Sequence, residues 1–386
     1  MMAKSLKPRL FRLFQAINRK TACLNFLKRW LGLQCLATKL LSVSEKEMGR
    51  VLKNLRTNYI ESKVEALKEQ GIWDPDFYVL CAESMGDVVA SEPIARCLKR
   101  LVPKSRIHWI VRDLFKEVVE SNPFIDETVV VATLAEGFDK ARSICGRDGN
   151  ILVNCHMDST CCGKTRMIIR NPVNPQVNVL TYLKTGSLLA SFSLAAGLPR
   201  LDDSPEFYFA RDYPLPTNLK AKNYVAIHCR SSTVVKDWVQ DKWEDLVRRL
   251  TARGIPVVEI GMPKCVSLLC DGYVDHTGKH NLQELAWIIK NALVFVGVDS
   301  GLAHIANAVR APSLILLGAE GGQSRFEIYS GEFARSKLFR RIWAPEGKAA
   351  ACIDCDNVEA EVLELMSECK DICRTQMLFR ARKRNS

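Results

Sequence analysis

The stretch VFVGVDSGLAHIANAVRAPSLILLG, Val294–Gly318, decides the fold. Val294–Val298 is short, apolar and rich in β-branched residues, as a buried strand requires. Leu302, Ile305, Ala306 and Val309 then recur at helical spacing, and Ser313–Leu317 is a second apolar strand. A strand, a turn at Asp299-Ser300-Gly301, a helix and a further strand form a βαβ unit. In open parallel sheets the ends of such strands and the helix N-termini that follow them are the usual ligand sites. The unit therefore predicts a site that faces an anion.

The same alternation extends outward in both directions. FYVLC, RIHWIV, ETVVVA and NILVNCH read as strands, with DVVASEPIARCLKRLV as a helix after the first. Beyond the Pro-rich segment RDYPLPTN (211–218) a second series begins. NYVAIHC and IPVVEIG are its strands, and DKWEDLVRRLTARG and NLQELAWIIKNA its helices. Two βαβ series joined by a linker predict an α/β protein of two doubly wound, Rossmann-like domains facing a cleft. The expected division is a basic helical extension (1–70), an N-terminal acceptor-side domain (71–215), a C-terminal donor domain (216–345) and a cysteine-rich tail (346–386).

Composition narrows the class. Of the 386 residues, 47% are apolar and 25% charged, ordinary values for a globular protein. No apolar run reaches the roughly 18–20 residues of a membrane span, and the N-terminal segment has no uninterrupted apolar core of the secretory kind. Fifteen cysteines without such a segment suit reduced thiols and a metal site better than a disulfide framework. A cytoplasmic protein is the expectation. The net charge of +12 is concentrated at the start, where nine Lys and Arg residues from Lys4 to Lys39 precede the first acidic residue, Glu45. Leu10, Leu13, Phe14, Ile17, Leu24, Leu27 and Leu31 follow helical spacing among them. Residues 6–31 thus suit peripheral contact with an anionic inner membrane surface, with a packing helix or a homo-oligomer contact as the alternatives. No basic-aromatic reader motif follows, so nucleic acid is not expected as a partner.

Three polar clusters could carry chemistry. In AESMGDVVASEP, Gly86 and Asp87 lie where strand becomes helix. Asp87 is either an N-cap or a carboxylate facing the cleft as a general base. In HCRSSTVVKDW, Ser231, Ser232 and Thr233 offer hydroxyls and Lys236 a cation, a set that can hold a diphosphate and offset its charge. Trp238 and Trp243 read as core or cleft-wall aromatics. On the opening unit, Gly301 lets backbone approach a ligand, and the amides of Ser300, Gly301 and Leu302 with the helix dipole face an anion. His304 either reaches phosphate or is a satisfied structural histidine. LDDS (201–204) is a polar loop and not a metal site.

These segments resemble glycosyltransferase family 9, the heptosyltransferase family. The resemblance runs through AESMGDVVASEPIARCLKRLVPKSRIHWIV, SSTVVKDWVQDKWEDL and DHTGKHNLQELAWIIKNALVFVGVDSGLAHIANAVRAPSLILLG, in order, over about residues 77–320. It implies a GT-B fold with an ADP-heptose donor on the second domain. Asp87 would be the base that deprotonates an acceptor hydroxyl, with inversion at the anomeric carbon. Lys236 and the Ser300–Leu302 amides would stabilise departing ADP, Asp299 would contact the sugar, Ser231 and Ser232 would contact phosphate, and His304 would border the donor. No catalytic metal is expected. One departure concerns the nucleotide: family members often carry a glutamate shortly after the VVEIG-like strand, where this chain reads GMPKCVSLL.

The tail pairs Cys352 with Cys355 and Cys369 with Cys373. Four thiolates in two close pairs can close a tetrahedral site for structural zinc or iron, and protein-modifying autotransporter heptosyltransferases resemble this arrangement. Two acceptors therefore compete: a lipid-linked glycan such as the lipopolysaccharide inner core, favoured by the basic N-terminus, and serines of an autotransporter, favoured by the tail. A nucleotide-sugar epimerase or hydrolase would instead release free sugar, and a metal-stapled binding protein would turn nothing over.

Overall fold

The computed structural model describes residues 58–145, 149–318 and 328–384, the last helix with side chains through Ile372. The basic segment 6–31 lies outside the described residues. The described chain opens with helix α1 (Tyr59–Glu69), whose buried Ile60 and Val64 pack on the first domain. Strand β1 (Asp76–Leu80) follows, then helices α2 (Met85–Ser91) and α3 (Pro93–Leu101). Sequence spacing predicts one helix across this span. It breaks because Pro93 has no N–H to continue the ladder and instead begins a new helix.

Strands β2 (Ile107–Arg112), β3 (Glu127–Val131) and β4 (Asn150–Asn154) complete the first sheet, with helix α4 (Leu134–Ile144) between the last two. The strand order is β3-β2-β1-β4, all parallel. A small antiparallel pair, β5 (Thr160–Cys161) and β6 (Ile168–Ile169), and helix α5 (Leu188–Ala195) precede the linker.

The second sheet comprises β7 (Val225–His228), β8 (Val257–Glu259), β9 (Tyr273–Asp275), β10 (Val294–Val298), β11 (Ser313–Leu317) and β12 (Phe339–Trp343). Its helices are α6 (Gln240–Ala252), α7 (Leu282–Asn291), α8 (Gly301–Ala308) and the short α9 (Gly331–Arg335). The order β12-β11-β10-β7-β8-β9 is parallel throughout and reverses direction between β7 and β10. The first sheet reverses between β1 and β4. Both sheets place a crevice at that reversal, beyond the strands' carboxyl ends.

Strand alternation sorts the core. Val294, Val296 and Val298 join Leu314, Leu316 and the buried pair Trp238 and Trp243 on one face of the second sheet. Phe295, Ile315 and the apolar side of α8 lie on the other, in a core continuous with Val88, Val89 and Ile94 of the first domain. The linker reinforces this junction. Buried Gln283 donates to the carbonyls of Glu117 and Tyr208 and accepts from the Ala210 amide, so one amide side chain ties both domains to the linker. The polar loop LDDS has the same office: Ser204 accepts from the Glu332 amide at 2.9 Å, and Asp202 pairs with Arg335.

The tail is not a separate unit. Helix α10 (Cys355–Arg384) buries Val358, Val362, Leu365 and Met366 against α6, β10 and β11. Trp238 Nε1 donates to the Ile353 carbonyl at 3.0 Å, anchoring the start of that helix. Leu365 is fully buried, and Leu365→Ala is expected to cost about 2–5 kcal/mol, read from chemical denaturation. An unchanged midpoint would mean that α10 is not docked.

Candidate active site

A cavity of about 860 Å³ opens between the two reversals. Its first-domain wall carries Glu83, Asp87, Arg112 and Phe115; its second-domain wall carries Ser231, Ser232, Lys236, Asp299–Leu302 and His304. The structure thus brings the predicted catalytic and donor-side residues together in one cleft. The tail cysteines are not part of it.

Asp87 is placed by its helix. Ser84, not Asp87, is the N-cap of α2, and its hydroxyl accepts from the Asp87 amide at 3.4 Å. The cap reading of Asp87 is thereby corrected: the carboxylate sits at the third position of the helix and faces the cleft. Burial pushes its pKa up to about 6. The Ser84 hydroxyl and Lys236 oppose that rise, while the carboxylates of Glu83 and Asp299 add to it. A carboxylate of this kind is ionised at neutral pH yet holds a proton well enough to accept one during reaction.

Opposite it, Lys236 Nζ lies 3.0 Å from Asp299 Oδ2. Lys236 is held by a short 3-10 turn, Val234–Lys236, in the loop after β7. Asp299 ends β10. Ser300 is the N-cap of α8 but makes no capping bond; its Oγ is 2.9 Å from His228 Nδ1 instead. Among the described residues, no acceptor reaches the Gly301 or Leu302 amide, so the start of α8 presents bare N–H groups to the cleft. Burial lowers the His228 pKa to about 4 and keeps the ring neutral. Its side chain packs so tightly over Gly261, where φ is +87°, that a Cβ there would collide with the imidazole.

The remaining predicted residues divide by role. Ser231 turns inward: its amide donates to Asp237 Oδ1 at 2.7 Å and its hydroxyl to the Thr233 carbonyl at 2.8 Å. It shapes the loop, whereas Ser232 is exposed on the cavity wall. His304 is buried and neutral, its pKa lowered to about 4 by burial. Its ring lies against Tyr329, with centroids 4.9 Å apart, and against Gly86.

Sequence reasoning missed Glu83, Arg112, Phe115, His228 and His280 as cleft residues. His228 could have been marked as the last residue of a buried strand beside the phosphate-side loop. The others depend on tertiary contact: Glu83 Oε1 accepts from the Gly163 amide at 2.8 Å, eighty residues away, and its carbonyl accepts from Arg112. Glu259 does not supply the nucleotide contact either. It is buried and accepts from the Cys265 and Val266 amides and from the Tyr273 hydroxyl.

The tail cysteines do not converge. Cys355 and Cys369 stand on one continuous helix, fourteen residues and therefore about 21 Å of axial rise apart. Cys352 is exposed, whereas Cys355 is buried. The Cys373 side chain lies outside the described residues. No group of three or more His, Cys, Asp or Glu side chains suited to a metal occurs among the described residues. A single ion held by all four tail cysteines of one chain does not fit this geometry.

Two doubly wound domains with their strand ends and helix N-termini turned to one cleft define the GT-B fold. Residues 170–326 match the family described as Glycosyltransferase family 9 (heptosyltransferase). Lipopolysaccharide heptosyltransferase 3 of Escherichia coli K12 is 33% identical over 107 residues, 25% of this chain and 31% of the relative. This chain thus spans about a third of that relative's length. Lipopolysaccharide heptosyltransferase 1 of Pseudomonas aeruginosa is 21% identical over 290 residues, 66% of this chain and 80% of the relative. Among solved structures, a glycosyl transferase family 9 protein of Veillonella parvula aligns with a TM-score of 0.57 at 17% identity, over 77% of this chain and 99% of that one. The E. coli heptosyltransferase WaaC with ADP-2-deoxy-2-fluoro heptose aligns with a TM-score of 0.53 at 16% identity, over 75% and 99%. The chain thus resembles glycosyltransferase family 9 across residues 170–326, the stretch that holds most of the second-domain wall of the cleft.

A Cβ at Gly86 would lie 2.8 Å from His304 Cδ2. Gly86→Val should therefore overpack the α2–α8 junction, lowering stability by about 1–3 kcal/mol and weakening nucleotide binding in parallel. Thermal melting with calorimetry checks both; full binding in a stable variant would contradict the packing described.

Proposed function

We propose that the protein is an inverting heptosyltransferase that moves heptose from ADP-heptose to a hydroxyl of the lipopolysaccharide inner core. The observation that carries this reading is a raised carboxylate on one wall of the cleft, facing an ion-paired lysine and bare helix amides on the other. The names of the similar proteins support heptose and lipopolysaccharide, and the WaaC complex supports an adenine nucleotide donor. Cys355 and Cys369, about 21 Å apart along one helix, lend the protein-acceptor alternative no support.

In this scheme Asp87 takes the proton of the acceptor hydroxyl. The freed oxygen lone pair attacks the anomeric carbon from the face opposite the diphosphate. The carbon–oxygen bond to the β-phosphate breaks as the new glycosidic bond forms, and its electrons leave on ADP. Lys236 and the Gly301 and Leu302 amides stabilise that charge before and during departure. Asp299 orients Lys236 and faces the sugar. Protein groups supply the positive charge that a divalent ion supplies elsewhere, so the scheme requires no catalytic metal.

Asp87→Asn should preserve ADP binding and cut transfer by about 10²–10⁴-fold; unimpaired transfer would remove Asp87 as the base. Lys236→Ala should weaken ADP binding and transfer together. Because Asp87 acts in its ionised form, kcat/KM should fall as pH drops through about 6 in the wild type. An acidic limb near the ordinary carboxylate value, or one unchanged in Asp87→Asn, would contradict the assignment.

A further inference from the structure

The segment from Ser159 to Arg200 contains five basic residues, Lys164, Arg166, Arg170, Lys184 and Arg200, and no Asp or Glu. It belongs to the first domain and adjoins the acceptor side of the cleft. Gly163 donates to Glu83, and Tyr182 and Leu183 line the cavity itself. Among the described residues, Lys164, Arg166 and Lys184 have no carboxylate partner and their side chains are exposed. Arg170 pairs with Asp158 yet remains 72% exposed.

Large apolar side chains stand among these cations. Leu180 is 86% exposed, Ile168 51% and Val179 38%. Residues 158–159 tie their segments together: Ser159 donates to the Ile169 carbonyl, and Val179 donates to the Asp158 carbonyl. Leu180 is fixed in its outward turn by Asn178, whose side-chain oxygen accepts from the Leu180 amide at 2.9 Å. The Asn178 amide also donates to the Thr181 hydroxyl at 3.1 Å, which closes the turn that holds Leu180 outward. Exposed apolar side chains in a segment with exposed cations and no carboxylate match the chemistry of a bilayer surface, where the apolar tips enter the acyl boundary and the cations meet anionic headgroups.

We propose that residues 159–187 dock the protein onto an anionic lipid bilayer, with the acceptor side of the cleft against the membrane. The proposal deepens the reading above by stating that the acceptor is presented at a bilayer, and it rests on that reading only for why an acceptor is there. Docking would carry a lipid-linked hydroxyl to Asp87 without extraction of the lipid.

The test is co-sedimentation of the full chain with phosphatidylcholine vesicles, with and without phosphatidylglycerol. Wild type should partition onto the anionic vesicles. Leu180→Asp and the pair Lys164→Glu with Lys184→Glu should each weaken partition, the pair by more than tenfold, since each basic residue near such a surface is worth about fivefold. All three positions are exposed, and unchanged thermal melting and ADP affinity show that the variants fold. Unaltered partition of the variants would overturn the proposal and leave vesicle binding to other segments, the basic N-terminus included. Loss of self-association in Leu180→Asp with no change on vesicles would also overturn it, by making the patch a contact between copies. Failure to bind ADP would instead count against the donor assignment, so the two readings fail separately.

Discussion

The approach of α2 to α8 sets the rest of the site. These helices begin at the strand-order reversals of different domains, and their first turns meet through glycine on each side. Gly86 lies under the His304 ring, and Gly301 lies under Met85, so closely that a Cβ at either would collide with its neighbour. That contact allows Asp87 to feel the charges of Lys236 and Asp299, residues more than a hundred positions away. A side chain at Gly86 would press on the buried His304 ring and crowd the place where the two first turns meet. The continuous core beneath the junction and the Gln283 tie to the linker hold the domains at this separation.

Electrostatics follows from that closeness. Lys236 is neutralised by Asp299 when the cleft holds no donor, which spares the protein an isolated charge at a half-buried position. A diphosphate reaching the α8 amides would compete for the same ammonium. Meanwhile Asp87 is buried enough to be lifted to about 6, and the two neighbouring carboxylates oppose its ionisation. The neutral histidines around it, His228 and His304, give shape without adding charge. The carboxylate of Asp87, the ammonium of Lys236 and the start of α8 are each held in the cleft by different elements.

Much of this was legible in the chain. The buried strands of both sheets are apolar runs ended by turn residues, and the Asn281 capping box fixes the start of α7. Residues at strand ends, Asp87, Lys236 and Asp299–Leu302, could be placed on one cleft because parallel topology fixes where strand ends point. What escaped were features created by long-range contact. β9 and β12 are edge strands whose residues, Phe339 apart, are only partly buried, so periodicity gave no signal. Pro93 split a helix whose apolar spacing continued across it. The tail poses a related problem: paired cysteine spacing is local, but whether two pairs meet depends on whether the spacer bends, and here Cys355 and Cys369 stand on one helix while Cys352 lies in the 3-10 turn before it.

The most direct measurement is a crystal structure of the protein with ADP bound. The diphosphate should lie within hydrogen-bonding distance of Lys236 Nζ and of the Gly301 and Leu302 amides, with the Asp87 carboxylate open toward the first-domain side of the cleft. A diphosphate seated away from α8, or ADP bound outside the cavity between the domains, would contradict it.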